Sequence, residues 1–157
     1  GETPLTDLIG LIKRSLAQAP LALNVKSDGL HAPVAEILER HNLTGAFVFD
    51  MSIPDTVGYW RAEVPFFTRR SEYESNPVLL APAAGIWLDS FESDWYDPPL
   101  VEGYLAQGKC VAVVSPELHG RDHLPMWRAM RTAGLHRRRE LLLCTDHPLA
   151  AREFFQV

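Results

Sequence analysis

The segment FVFDMS, residues 47–52, decides the fold, because an apolar run of strand type ends there in an acidic and a hydroxyl side chain. Runs of this kind occupy residues 21–26, 46–51, 66–70, 85–91, 110–117 and 140–146. Their starts lie about 20 to 30 residues apart, which is close to the length of one strand followed by one helix. A chain that alternates strands and helices in this way is expected to form a parallel sheet.

Helices are predicted between most of these strands. They cover residues 33–42, 55–62, 98–107 and 125–133, with a last turn or two at 150–155. A first helix would be capped by Thr6 and would place four apolar side chains on one face: Leu8, Leu11, Ile12 and Leu16. Residues 71–84 are polar and contain prolines, so we expect a loop there.

The polar residues at the strand ends distinguish between two parallel architectures. Open doubly wound sheets and (β/α)-barrels both bind ligands at the carboxyl ends of their strands. An open sheet would need polar groups only beside its switch point, whereas nearly every run here ends in them. We therefore predict an α/β fold of the (β/α)8 TIM-barrel type, as a single domain over residues 1–157. The barrel is incomplete, with six of eight strand–helix units, because a full barrel needs about 250 residues.

Composition excludes several classes of protein. The 157 residues are 46% hydrophobic and carry a formal net charge of −5, which argues against nucleic acid or an anionic membrane surface as the main partner. No apolar run approaches the roughly 18 residues of a membrane span. The short basic cluster at residues 137–139 is expected to be a solvated loop. Cys110 and Cys144 suit buried thiols in a reducing, cytoplasmic location.

Four side chains are candidate catalytic groups. Lys26 ends the first strand, where an ammonium suits phosphate or a developing anion. Arg69 ends the third strand, and its guanidinium suits bidentate binding of an oxyanion. Glu117 and His119 follow Pro116, which ends a strand, so they are expected to project from a loop.

Further strand-end residues are candidate ligands for a substrate or a metal. Asp89 and Asp146 could hold a divalent cation, although roles as helix caps or ion-pair partners are equally open. Trp95 is the best candidate for the wall of a substrate pocket. The full set of candidate substrate-binding residues is Asn24, Asp50, Ser52, Glu72, Trp87 and Trp95. The other histidines are expected at the surface: His31, His41, His123, His136 and His147.

Six blocks of the sequence, in chain order, resemble a bacterial group of proteins. The blocks are LNVKSDGL at 23–30, FVFDMSIPD at 47–55, TRRSEYE at 68–74, GIWLD at 85–89, SPELHGR at 115–121 and CTDHP at 144–148. That group is related to the glycerophosphodiester phosphodiesterase and phosphatidylinositol-specific phospholipase C superfamily. The resemblance implies a (β/α)8 barrel that hydrolyses a phosphodiester with the help of a divalent metal, Mg or Ca.

The resemblance also implies roles for individual residues. Lys26 matches a lysine of the family, and with Arg69 it would stabilise the oxyanion of the transition state. Asn24 stands where the family has a metal-binding glutamate. Orienting groups or secondary metal ligands would be Asp50, Asp89, Glu117 and Asp146.

Part of the family pattern has no counterpart in this sequence. The family carries its acid–base histidines and most metal ligands on its first two strands, so this chain is expected to correspond to strands three to eight. We expect it to be inactive by itself unless an N-terminal segment supplies the missing strands. The expected partners are a small phosphorylated ligand and either that segment or a second copy of the chain.

Two rival functions remain open at this point. One is a non-catalytic module that binds a phosphate or sugar through Lys26, Arg69 and Trp95. The other is a structural remnant or interaction partner, because six strands leave two sheet edges exposed to pairing.

Overall fold

The computed structural model of the protein describes residues 4, 5, 7–10 and 20–156. Residues 5 and 7–10 are helical. The predicted helix cap Thr6 and the predicted face residues Leu11, Ile12 and Leu16 lie outside the described residues. The chain divides into two compact units, residues 1–66 and residues 67–157. A single domain over the whole chain stays a prediction.

The first unit contains two short parallel strands, each followed by a helix. They are β1 (Ala22–Asn24), α1 (His31–Arg40), β2 (Phe47–Phe49) and α2 (Ile53–Arg61). β1 pairs in parallel with β2 along its whole length. Val48 also forms a parallel bridge with Phe66. β2 is buried throughout, and its carboxyl end lies beside that of β1.

The turn from β2 into α2 is fixed by local sequence. Asp50 has a positive φ of 71°, a conformation that aspartate adopts more readily than most residues. Ser52 caps α2, because its Oγ accepts a hydrogen bond from the backbone N–H of Asp55 at 3.3 Å. Pro54 suits the first turn of the helix, where its missing N–H costs nothing. The polar residues that follow β2 are therefore held at defined positions.

The second unit is a four-stranded parallel sheet with three α-helices. Its elements are β3 (Phe67–Arg70), β4 (Gly85–Leu88), α3 (Pro98–Ala106), β5 (Cys110–Val114), α4 (Leu124–Thr132), β6 (Leu141–Cys144) and α5 (Pro148–Phe155), with 3-10 helices at Pro116–His119 and Leu135–Arg137. The strands pair in the order β3-β4-β5-β6, each parallel to its neighbour. All four carboxyl ends therefore lie at one edge of the sheet.

Successive side chains of this sheet point to opposite faces. One face packs against the helices in the hydrophobic core through Ile86, Leu88, Val111 and Val113. The other face carries Arg69, Trp87 and Ala112, which are register partners across three strands. Asp89 continues the Trp87 side beyond the end of β4. The polar end of β4 therefore lies on the face opposite the aliphatic side chains Ile86 and Leu88.

The six predicted strands are confirmed, and each is shorter than the apolar run that predicted it. The run at 110–117 ends as a strand at Val114, because Pro116 cannot donate to the ladder and begins a 3-10 helix. The later helices are confirmed within a few residues, and residues 71–84 form a loop. All strand pairs are parallel, and the two sheets seen in the described residues are not closed. Among the helices of that part of the chain, none combines the length and the apolarity needed to span a bilayer.

Gly85 begins β4 at a point without room for a side chain. A Cβ atom there would lie 2.5 Å from Cζ of Phe67 and 2.6 Å from the carbonyl oxygen of Cys110. We expect Gly85→Ala to lower the free energy of unfolding by about 1–3 kcal/mol, because β3 or β5 must shift to admit the methyl group. Urea denaturation measures this change.

Gly103→Ala is the matched control. Gly103 is exposed on α3, and no heavy atom lies within 4 Å of the position its Cβ would take. Because alanine favours a helix, this variant should be unchanged or more stable by about 0.5–1 kcal/mol. Equal losses in both variants would contradict the close packing at Gly85.

Candidate functional site

The candidate site is the group of loops that follow the four strands of the second unit. Ligands of parallel α/β sheets bind at the carboxyl ends of the strands. The chain brings several acidic side chains and a histidine to this edge: Glu72, Glu74, Asp89, Glu117, His119 and Asp146. The edge formed by these loops is called the carboxyl edge below.

Asp89 and His119 form the best-defined polar pair of the carboxyl edge. Nε2 of His119 lies 2.8 Å from Oδ1 of Asp89. An ionised Asp89 accepts a hydrogen bond from Nε2–H of His119, which leaves the imidazole lone pair on Nδ1. The His119 ring rests on Phe91, with 4.8 Å between the ring centroids. The side chain is 23% exposed, so a ligand can reach the ring.

Further hydrogen bonds fix the position of Asp89. Its backbone N–H donates to the carbonyl oxygen of Arg70 at 2.9 Å, and its carbonyl oxygen accepts Nε1–H of Trp95 at 2.8 Å. Trp95 also packs edge-on against Tyr96 and lies 5.2 Å from the guanidinium carbon of Arg70. In this structure Trp95 supports Asp89, and its role as a substrate wall stays a prediction.

Glu72 organises the loop after β4. Its carboxylate accepts the backbone N–H groups of Phe91, Glu92 and Ser93 at 3.0–3.1 Å. Burial acts to raise the pKa of Glu72, but hydrogen bonds from backbone amides outweigh it and lower the pKa to about 2. The conformation of the loop that places Phe91 beside His119 therefore depends on a charged Glu72. Its role in substrate binding stays a prediction.

Glu117 joins the loops after β5 and β6. Its Oε1 accepts hydrogen bonds from the Thr145 hydroxyl and, at 3.2 Å, from the backbone N–H of Asp146. Burial acts to raise the pKa of Glu117, but hydrogen bonds, led by those from Ser115 and Thr145, bring it below its usual value. Oε2 is buried, and His123 Nδ1 lies 3.9 Å away. The Glu117 side chain is 10% exposed, so it is an ionised group largely enclosed by protein.

The prediction of five surface histidines is wrong in part, because only His147 is exposed and the others are half-buried: His31, His41, His123 and His136. His123 was expected at the surface, but its side chain is only 21% exposed. Its ring packs on Trp127 with 4.3 Å between centroids, and His147 lies 5.4 Å from it. The physical reason is that Trp127 of α4 is buried in the core and the imidazole covers it.

The arginines of the carboxyl edge are paired with acidic or polar groups. Arg69, a predicted oxyanion-binding residue, contacts the Glu74 carboxylate through Nε and, at 3.1 Å, through Nη2. Arg121 reaches Asp94 at 2.5 Å and the carbonyl and hydroxyl oxygens of Ser90 at 2.6 and 2.8 Å. Arg69 is 37% exposed, so its guanidinium remains accessible to an anion.

The first unit places its own predicted residues at the ends of β1 and β2. The Lys26 ammonium pairs with the Asp50 carboxylate, and its side chain is 70% exposed. Ser52 Oγ donates to Oδ1 of Asp28 at 3.0 Å. Asn24 is exposed at the end of β1. These residues were predicted separately, and the structure brings Lys26 and Asp50 together; their roles with a ligand stay predictions.

A cluster that the sequence analysis missed lies between α1 and α2. His31 Nδ1 is 3.9 Å from Oδ1 of Asp55, and its ring stands edge-on to Tyr59 at 6.1 Å. Burial, helped by the charge of Asp55, raises the pKa of Tyr59 to about 12. The sequence signal for this cluster was the position of two residues in their helices. His31 begins the helix after β1, and Asp55 lies in the first turn of the helix after β2.

The cysteines are half-buried free thiols rather than fully buried ones. Burial raises the pKa of Cys144, and the negative charges of Asp89, Asp146 and Glu117 raise it further. Burial and Glu140 also raise the pKa of Cys110. Both are therefore poor nucleophiles, which agrees with their predicted structural role.

The predicted metal ligands do not form a metal site by themselves. Across residues 4, 5, 7–10 and 20–156, no three His, Cys, Asp or Glu side chains are placed to hold a metal ion. Oδ1 of Asp89 is already bonded to His119 and to the backbone N–H of Ser90. The residues present therefore do not fit a divalent metal, and the chemistry derived below uses none.

Comparison with solved structures supports the fold. The protein is similar to the crystal structure of a putative glycerophosphodiester phosphodiesterase from Galdieria sulphuraria, with a TM-score of 0.70 and 16% sequence identity. The match covers 98% of this chain and 63% of that chain, so this chain spans less than two thirds of its neighbour. The likeness identifies the α/β fold as a partial TIM barrel. No protein-family model and no curated protein sequence matches the chain.

The low pKa of Glu72 predicts a pH-dependent contribution to stability. Because the folded-state pKa is near 2 and the usual value is 4.5, the contribution is complete above pH 4.5 and is lost as the pH falls towards 2. We expect Glu72→Gln to lower the free energy of unfolding by about 1–3 kcal/mol at pH 7. Urea denaturation between pH 7 and pH 2.5 should show that difference shrinking.

Glu102→Gln serves as the control, because Glu102 is exposed on α3. Its effect should stay within about 0.5 kcal/mol at every pH. A loss in Glu72→Gln that is the same at pH 7 and pH 2.5 would contradict the role of the charged carboxylate.

Proposed function

We propose that this chain binds a phosphodiester at the carboxyl edge and supplies one proton transfer to its cleavage, with His119 transferring the proton and Asp89 orienting the imidazole. The observation that carries the proposal is the 2.8 Å contact between these two side chains, at the ends of adjacent parallel strands. The structural likeness to a glycerophosphodiester phosphodiesterase supports the substrate class.

The chemistry of the reaction assigns a task to each group. In-line attack at phosphorus needs a base that accepts a proton from the attacking hydroxyl and an acid that protonates the leaving oxygen. Nδ1 of His119 can perform one of these transfers, while Asp89 holds the ring and stabilises the imidazolium that forms. A hydrogen-bonded carboxylate in this position fixes the tautomer and orientation of the imidazole without itself taking the proton.

The phosphoryl oxygens need positive charge. Arg69 lies on the same sheet face as Asp89, because its register partner Trp87 is two residues before Asp89. Its partly exposed guanidinium could contact an oxyanion while keeping one bond to Glu74. The family resemblance also assigns an anion-binding role to Lys26 of the first unit, and that role is a separate proposal.

The second proton transfer is proposed to use groups outside these 157 residues. The family resemblance assigns acid–base histidines to two strands that have no counterpart here. We therefore propose that this chain supplies six of eight strand–helix units and binds the phosphodiester, while cleavage needs the remaining two.

The experiment compares this chain with a longer protein. In the longer protein, the first two strand–helix units of a glycerophosphodiester phosphodiesterase precede the 157 residues. Calorimetry measures binding of a glycerophosphodiester, and release of glycerol 3-phosphate measures turnover. We expect binding without turnover for the 157-residue chain and turnover for the longer protein. In the longer protein, His119→Asn should lower kcat about 10²- to 10⁴-fold and change KM little.

His41→Asn is the control for a histidine of the same chain. His41 follows α1, away from the strand carboxyl ends, so kcat should not change. Unchanged kcat in His119→Asn would contradict the assignment of His119. Binding without turnover in both proteins would favour a non-catalytic phosphate-binding module, and neither binding nor turnover would overturn the proposal.

A further inference from the structure

An apolar cavity of about 260 Å³, partly open to solvent, lies on the helix-covered side of the sheet in the second unit. Its floor is formed by Val113 of β5 and Leu143 of β6, and its walls by α4 and α5. The lining is mostly apolar and includes Met126, Met130 and Phe155. A pocket with this lining suits a ligand that is mostly apolar and carries a polar group at one end.

Two of the polar side chains that line the cavity contain nitrogen groups suited to an anion. His136 and Arg152 both line it. The His136 ring stacks on Phe155 with 5.9 Å between centroids. Nδ1 of His136 is buried and has no hydrogen-bond partner among the described residues. Arg152 projects from α5, where it is exposed. The anionic group of a ligand could pair with the exposed guanidinium of Arg152 beside the His136 ring.

The surrounding surface is basic on balance, with Glu140 and Glu153 as the acidic residues of the same elements and Glu140 paired with Arg138 at 3.5 Å. Six of the fifteen Lys and Arg residues lie on α4, α5 and the segment that joins α4 to β6: Arg128, Arg131, Arg137, Arg138, Arg139 and Arg152. All six are exposed. The whole chain has a net charge of −5, so this basic surface is local. It would attract an anion towards the cavity and disfavour a cation.

We propose that this cavity binds a single-chain aliphatic anion, such as a medium-chain fatty acid or a monoalkyl phosphate. The chain fills the space between β5, β6, α4 and α5, and the anionic group contacts His136 and Arg152. The proposal goes beyond the phosphodiester site, because the cavity lies on the face of the sheet opposite Arg69 and Trp87.

The cavity volume limits the length of the chain. A methylene group is similar in size to a water molecule, which occupies about 30 Å³ in the liquid, so about eight or nine such groups would fill 260 Å³. Each methylene that enters the cavity should tighten Kd about three- to fourfold. Affinity should therefore rise steeply from hexanoate to decanoate and then level off.

The methionines provide the readout. The protein has three, of which Met126 and Met130 line the cavity and Met51 lies in the first unit. With labelled methionine methyl groups, decanoate should produce saturable NMR shifts at Met126 and Met130 and none at Met51. Decyl phosphate should shift the same two methionines, and a Kd below that of decanoate would identify phosphate as the preferred head group. Decyltrimethylammonium should bind at least tenfold more weakly than decanoate.

A matched pair of variants tests the anionic contact. Arg152→Gln should weaken decanoate binding about tenfold, as expected for the loss of one charge-assisted hydrogen bond. Arg40→Gln should leave Kd unchanged, because Arg40 pairs with Glu36 on α1 in the first unit. The comparison of decanoate with the decyl cation uses the unaltered protein, so it stays informative if Arg152→Gln fails to fold.

Three results would overturn this proposal. The first is no shift at Met126 and Met130 with any chain length. The second is equal binding of decanoate and decyltrimethylammonium. The third is a parallel shift at Met51, which would indicate a detergent effect on the whole protein. Each of these outcomes is separate from phosphodiester binding at the carboxyl edge.

Discussion

The hydrogen bonds of Asp89 are the constraint on which the candidate site depends. Its backbone N–H extends the ladder to Arg70, its carbonyl oxygen holds Trp95, and its carboxylate holds His119. One residue at the end of β4 thereby connects the loops that follow β3, β4 and β5. The parallel order of the strands makes this possible, because it brings their carboxyl ends to the same edge.

The two faces of the four-stranded sheet carry different chemistry. The face of Arg69 and Trp87 ends in charged and hydrogen-bonding groups, which suits a polar, anionic ligand. The face of Val113 and Leu143 is covered by helices and borders an apolar cavity, partly open to solvent, next to a basic surface. Thr145 touches both regions, since it lines the cavity and donates to Glu117. A ligand in the cavity that contacts Thr145 would therefore contact a residue that is hydrogen-bonded to Glu117 of the carboxyl edge.

The sequence predicted the strands, most helices and the polar strand ends, because those signals are local. Pro116 marked the end of β5, and the run around residue 49 marked a buried strand. The pairing of side chains was not predictable, because it depends on register and loop path. Asp89 and His119 are thirty residues apart and meet only when β4 and β5 pair. Glu72 was predicted as a ligand contact, yet three backbone amides occupy its carboxylate, and such amides leave no pattern in a sequence.

Chemical-shift mapping with a glycerophosphodiester tests the central claim most directly. If the ligand binds where the parallel strands end, the backbone amides of Phe91, His119 and Thr145 should shift with a common Kd. The amides of Gly108 and Gly134, which precede β5 and β6, should stay unchanged. Shifts confined to Gly108 and Gly134, or no shifts at saturating ligand, would contradict a phosphodiester site at the carboxyl edge.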